Sequence, residues 1–284
     1  MDSAFALYEV DLHCHTTASD GLLTPTELVY SAAELGLKGI GITDHDTIQG
    51  WKEAKEAGAN CQIHILRGIE INSEWQGKEV HILGYEVNAS SSILNDKLAS
   101  LRKAREQRML EILDRLKIQG VRLSVQEVQQ LVPGESIGRP HIAQALVEGG
   151  YARSIQEGFD RYIGIGAPAY VPRYKMTPEE GIELIRAAHG VAVLAHPGVQ
   201  RLADGIPSWV EVGLQGIEVL HSEHNSDDER IFRALAKQYH LIATGGSDFH
   251  GEERKPGVKL GHWGVSLEVI HQILDLVRHN QVVE

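Results

Sequence analysis

Cysteine is nearly missing from this chain: Cys14 and Cys61 are the only two in 284 residues. Two thiols build no disulfide framework, so a reducing compartment is expected, with both side chains as small buried hydrophobes. Long apolar runs are lacking too, none approaching the roughly 20 residues that span a bilayer. The opening stretch MDSAFALYEVD has neither a basic region nor a small-residue cleavage site. No secretory signal is expected, therefore, and the chain is placed in the cytoplasm, away from membranes. Basic residues are in deficit, 27 Lys and Arg against 39 Asp and Glu, for a formal net charge of −12. That balance counts against nucleic acid as a partner of the whole surface. There is no internal repeat and no low-complexity tract.

The deficit is uneven. Between Lys97 and Lys175 there are 13 Lys and Arg against 8 Asp and Glu. An anionic substrate would be met there, although solvating helix faces is the plainer use of such charge. With 42% hydrophobic residues and this length, the chain can bury a full core as one large α/β barrel or as two domains.

Apolar runs ending in imidazoles or carboxylates recur along the chain. Val10 to Gly21, VDLHCHTTASDG, puts His13 and His15 at alternate positions. In a strand they share one face, with Cys14 on the other, and paired imidazoles suit a metal. TPTELVYSAAELGL from Thr24 reads as a helix with a capping box and Pro at its first turn. GIGITDH to His45 and IHILRGIE to Glu70 read as further strands, and Val80 to Tyr85 as a fourth, with His81 near its beginning. Helical patterns then follow one another without strands: Ile93 to Leu116, Ser124 to Val132, the segment after Pro140, and Ser154 to Tyr162. They read as an insertion on a β/α body. Alternation resumes with a helix from Thr177 to His189 and strands ending at His196, at His221, and at Asp248 and His250. Seven β-runs interleaved with helices predict parallel strands, right-handed crossovers and closure as a barrel.

In such barrels, ligands and catalytic groups gather at the carboxyl ends of the strands. His13, His15, His45, Glu70, His196, Asp248 and His250 all lie at or just past such an end, and Asp20 lies in the loop after the first. His81 is the exception. Buried together without partners these groups would each cost several kcal/mol, which predicts cations among them. Nine donors with only three carboxylates favour Mn, Zn or Fe over Mg or Ca.

The motifs HCH, SDG, TDHD, GIE, AHP and SDFH, in this order and spacing, resemble the polymerase and histidinol phosphatase (PHP) family over the whole chain. The resemblance implies a distorted seven-stranded (β/α)7 barrel over residues 1–92 and 176–284, carrying a helical cap over 93–175. It also implies three divalent metals, Mn first. One would take His13, His15, Glu70 and Asp248; a second would share Glu70 and add His81 and His196; a third would take Asp20, His45 and His250. Such cations would activate a water for in-line attack on phosphorus without a covalent enzyme intermediate, Asp248 counting among the catalytic residues. In the cap, SIGRPHI sets Ser136, Arg139 and His141 at a helix start, a place suited to phosphate, and the resemblance strengthens this reading. Arg173 and Lys175 in VPRYK are further candidates. His221 and His224 in VLHSEHNSD would bind phosphate or protonate the leaving oxygen. The remaining histidines, His64, His189, His240, His262, His271 and His279, read as helix, strand or surface residues. The glycines near Gly164 and Gly166 do not follow a strand, so no dinucleotide site is expected.

The function expected is metal-dependent hydrolysis of a nucleotide phosphate ester. The capped members it resembles act on the 3'-phosphate of nucleoside 3',5'-bisphosphates and on short single-stranded RNA from the 5' end. Histidinol phosphate hydrolysis, metal-dependent amide hydrolysis and a non-catalytic metal-stabilised binding module are the competing readings. No obligate protein partner is expected.

Overall fold

In the computed structural model, residues 6–132, 137–172 and 176–282 are described. Seven strands form one sheet in sequence order: β1 (Val10–Cys14), β2 (Gly39–Ile42), β3 (His64–Trp75), β4 (Lys78–Tyr85), β5 (Val191–Leu194), β6 (Gly216–His221) and β7 (Ile242–Gly246). The edges nearly meet. Asp248 N–H donates to the His13 carbonyl at 2.9 Å, and His15 N–H to that of Phe249 at 2.9 Å. The result is the distorted seven-stranded barrel expected of the sequence.

Helices pack outside the sheet where their caps direct. Thr24 and Glu27 form a reciprocal capping box at α1 (Pro25–Glu34), which packs beside α2 (Gly50–Cys61). Later, α7 (Pro178–Ala187) begins on a second such box, Thr177 with Glu180. Shorter α8 (Pro197–Gln200) and α9 (Ile206–Val212) lead into β6, and α10 (Ser226–Gln238) and α11 (Glu268–Val282) flank β7. Between β4 and α7 lie α3 (Ser92–Ile118), α4 (Val125–Gln130), α5 (Arg139–Glu148) and α6 (Ile155–Gly158), the last running into a π-turn over Phe159–Ile163.

Two expectations are corrected. The strands are not all parallel: β4 runs antiparallel to both β3 and β5. No helix separates β3 from β4, because β3 continues beyond Glu70 to Trp75 and turns back through Gln76 and Gly77. Both turn residues have positive φ, 51° and 80°, as a tight two-residue hairpin requires. The antiparallel course explains His81. The beginning of a reversed strand lies at the rim where the other strands end, so His81 pairs with Asn72, two residues past Glu70.

The same reversal sets the length of α3. Tyr85, the end of β4, pairs with Val191, the start of β5, so the chain leaves the barrel at the face opposite the rim. To reach the rim, α3 uses 27 residues, about 40 Å at 1.5 Å each. Its Leu94, Leu98 and Leu101 join the barrel's core. From Met109 onward its buried residues Met109, Ile112, Leu113 and Leu116 join a separate core that extends to Val171. The packing boundary thus falls inside α3, downstream of position 93.

Candidate metal centre

The alternation at β1 works as read: His13 and His15 are fully buried on one face, and Cys14 joins the core on the other. Around them the structure gathers, among the described residues, five overlapping donor groups, the donors in each lying within 4.8 Å of one another, and three of these are made up of the expected ligands. They are His13, His15, Glu70 and Asp248; Glu70, His81 and His196; and His15, Asp20, His45 and His250. Glu70 stands in the middle. Its Oε1 lies 2.7 Å from His81 Nδ1 and 3.2 Å from His196 Nε2, and its Oε2 lies 3.1 Å from His15 Nε2 and 2.9 Å from His45 Nδ1.

These side chains approach without satisfying one another. His13 Nε2, His15 Nε2 and Glu70 Oε2 are buried and make no aligned hydrogen bond. His13 Nε2 lies 3.5 Å from Glu70 Oε1 and 3.4 Å from Asp248 Oδ1, and His15 Nε2 lies 3.2 Å from Asp248 Oδ1. Donors each about 2.1 Å from a shared cation stand about 3.0 to 3.4 Å apart in octahedral or tetrahedral arrangement. The atoms have the spacing of neighbours around a common centre, so the donor set fits divalent cations. Burial disfavours the Glu70 anion, but the His45, His81 and His13 imidazoles hold its carboxyl well below the usual range. Burial likewise opposes the His13 cation, yet Glu218, Glu70 and Asp248 raise its pKa well above the ordinary value.

The backbone bends to deliver these groups. His196 and Asp248 both have positive φ, 29° and 56°, which side-chain-bearing residues adopt at a cost of order 1–3 kcal/mol. Gly246 lets β7 pass close to β1: a Cβ there would stand 2.4 Å from His13 Cβ. Beneath the donors lies a carboxylate layer that sequence reasoning missed. Asp11 accepts from the backbone N–H groups of Ser247 and Gly261, each at 2.9 Å. Asp44 accepts from Thr16 N–H at 2.8 Å and Ser19 Oγ at 2.6 Å. Glu218, fully buried in β6, lies 3.3 Å from His13 Nδ1. A lone carboxylate inside the apolar run GIEVLH was the available signal for it. Lys255 was missed as well; its Nζ lies 2.7 Å from Asp248 Oδ2, leaving Oδ1 toward the imidazoles of His13 and His15.

Of the residues expected to contact substrate, Ser136, Arg173 and Lys175 fall outside the described residues. Arg139, at the start of α5, stacks its guanidinium on Phe159 and Tyr170, with 5.5 and 5.9 Å to the ring centres. It lines a small cavity with Arg105 and Arg108, which the sequence did not single out. Arg105 reaches down to pair with Asp46, the residue after His45, and so ties α3 to the rim. His141 is buried, and its Nδ1 accepts from Gly138 N–H at 3.0 Å. Burial pushes its pKa down to about 4; Asp20 opposes this, and Arg254 and Arg105 add to it.

The two histidines after β6 differ. His224 does not fit the proton donor expected of it, because both ring nitrogens serve the backbone: Nδ1 donates to the Val219 carbonyl at 2.9 Å and Nε2 accepts from Gly198 N–H at 3.0 Å. His221 accepts from Glu223 N–H through Nδ1 at 3.1 Å, so when neutral it carries its proton on Nε2. That nitrogen has no hydrogen-bond partner and lies 4.0 Å from Asp248 Oδ2.

Comparison with known proteins adds three findings. The PHP domain model matches residues 11–169. A 5'-3' exoribonuclease of Escherichia coli is 35% identical over 258 residues, covering 88% of this chain and 87% of that protein. A 3',5'-nucleoside bisphosphate phosphatase of Chromobacterium violaceum is 34% identical over 262 residues, 89% and 90% of the two chains. A solved structure from Bifidobacterium adolescentis, assigned to a metal-dependent phosphoesterase, superposes with a TM-score of 0.88 at 32% identity over 95% and 96% of the chains.

Proposed function

This chain belongs to the PHP family and is a metal-dependent phosphoesterase; from that premise we propose that it breaks the P–O3' bond of nucleotides carrying a 5'-phosphate. The two curated relatives bear names for different reactions, an exoribonuclease and a bisphosphate phosphatase. Chemically the two are close. Releasing a nucleoside 5'-monophosphate from the 5' end of RNA and removing the 3'-phosphate of a 3',5'-bisphosphate both cleave phosphorus from O3'. One site serves both if it grips the 5'-phosphate and leaves the far side of the 3'-phosphorus open.

The observation that carries this reading is the pairing of Arg105 in α3 with Asp46, next to His45 of the donor cluster, which brings the arginines Arg105, Arg108 and Arg139 to one side of that cluster. We assign the metal-holding role to His13, His15, Asp20, His45, Glu70, His81, His196, Asp248 and His250, with three cations, Mn first and Zn or Fe as alternatives. Bound there, such cations lower the pKa of a coordinated water and neutralise the charge that builds on phosphate oxygens. Glu70 and Asp248 supply anionic oxygens that need no proton removed before they ligate. His221, with its proton on Nε2, is suited to donate a hydrogen bond to a phosphate oxygen rather than to act as the acid. Arg139, beside its two aromatic neighbours, and His141 are assigned to the 5'-phosphate, with Ser136, Arg173 and Lys175 as further candidates. Residues 93–175 act as the cap. No described helix is long and apolar enough to cross a membrane.

The test is a kinetic comparison, with Mn supplied, of a nucleoside 3',5'-bisphosphate, the matching 5'-monophosphate, a 5'-phosphorylated dinucleotide and histidinol phosphate. The bisphosphate and dinucleotide are expected to have the highest kcat/KM. Preference for histidinol phosphate would overturn the substrate assignment.

A further inference from the structure

We propose that Glu218 is a positioning residue for the metal centre, fixing the tautomer of His13 and the backbone turn at His196 at the same time. The inference rests on the metal-binding reading above.

Glu218 is fully buried in the middle of β6. A carboxylate placed there with nothing to hold it would be costly, so its partners explain its presence. Two are found, one on β1 and one just past β5. His13 Nδ1 lies 3.3 and 3.4 Å from its two oxygens, and Oε2 accepts the backbone N–H of His196 at 2.8 Å. The first contact decides which imidazole nitrogen faces the cluster. A carboxylate only accepts, so the proton that His13 keeps as a neutral ligand is on Nδ1, which leaves Nε2, facing Glu70 and Asp248, as the ligating nitrogen. The second contact holds the N–H of a residue whose φ is +29°, a conformation that a fixed partner must maintain. One side chain therefore sets a donor in each of two groups, His13 with His15, Glu70 and Asp248, and His196 with Glu70 and His81. The group of Asp20, His45 and His250 makes no such contact in the structure among the described residues.

Glu218→Gln separates this from simple packing. The amide keeps the shape and can still accept from His196 N–H with its oxygen. Its NH2 then faces His13 Nδ1 and favours the opposite tautomer, which turns an N–H instead of a lone pair toward the cluster. Metal-free wild type and variant are titrated with Mn2+ by calorimetry, and the Co2+-loaded forms are compared by visible absorption. The variant is expected to lose about 10–100-fold in affinity at the two positions that use His13 and His196, to keep the third, and to show an altered Co2+ spectrum. Glu218→Asp, which keeps the charge one methylene further back, is expected to bind between the two. Wild-type affinities and spectrum in the Gln variant overturn the inference; should that variant not fold, wild-type behaviour of the Asp variant does so. A wild type that takes up no metal overturns the metal reading instead.

Discussion

At the start of α5, the Arg139 guanidinium lies near the rings of Phe159 and Tyr170, and burial lowers the pKa of His141. If Arg139 grips the 5'-phosphate, Arg139→Ala removes a charged hydrogen bond of about 1.5–3 kcal/mol. KM for a nucleoside 3',5'-bisphosphate is then expected to rise roughly 10–100-fold, with little change on a small generic phosphate ester; steady-state kinetics on both substrates checks this. His141 predicts a pH effect. Its pKa is about 4 in the fold against an ordinary 6.5. Between those values the unfolded chain binds a proton that the folded one refuses, so stability falls as pH drops from about 6.5 to about 4. His141→Gln keeps an acceptor near Gly138 N–H and removes the titration. Its melting temperature should fall less over that window; equal slopes for the two proteins would refute the assignment. The residues legible in the sequence were those at the ends of apolar runs, where position and chemistry agree, as at His45 and Glu70. Glu218 and Lys255 were not, because one lies inside an apolar run and the other in a polar loop, where its type is unremarkable.

Elements were legible where a local signal fixes them. The capping boxes at Thr24 and Ser124 and the Thr-Pro pair at Thr177 placed three helix starts correctly. The hairpin was not, because Trp-Gln-Gly-Lys contains only one strong turn residue and the alternation of helices on either side suggested another crossover. Gly77 has φ +80° with nothing within 4 Å of where a Cβ would stand. Gly77→Ala is therefore expected to cost about 1 kcal/mol from backbone conformation alone, read as a lower denaturant midpoint with unchanged slope. Since the turn also sets the register that brings His81 opposite Asn72, the same variant should weaken metal binding at the His81 and His196 position.

At the scale of the whole molecule, six of the seven strands, or the loops just past them, bring the assigned donors to one cluster, so cations there would bind the folded chain and not the unfolded one. Each site filled at a free concentration about 100-fold above its Kd adds about 2.7 kcal/mol of stability. Stripping metal with a chelator is expected to lower the melting temperature by about 5–10 °C for each such site, and adding back Mn should restore it. An unchanged melting curve would argue against multiple strong sites. The long helix that climbs from the floor of the barrel to the cap behaves as a drive shaft, keyed into one core by Leu94, Leu98 and Leu101 and into another from Met109 onward. A single alanine inserted between those keys would leave each core internally intact but twist one against the other by about 100°, carrying Arg105 or its partner face away from Asp46. Such a chain would keep its donor cluster and lose its orientation toward large substrates, uncoupling the chemistry at the rim from the selectivity of the helices above it.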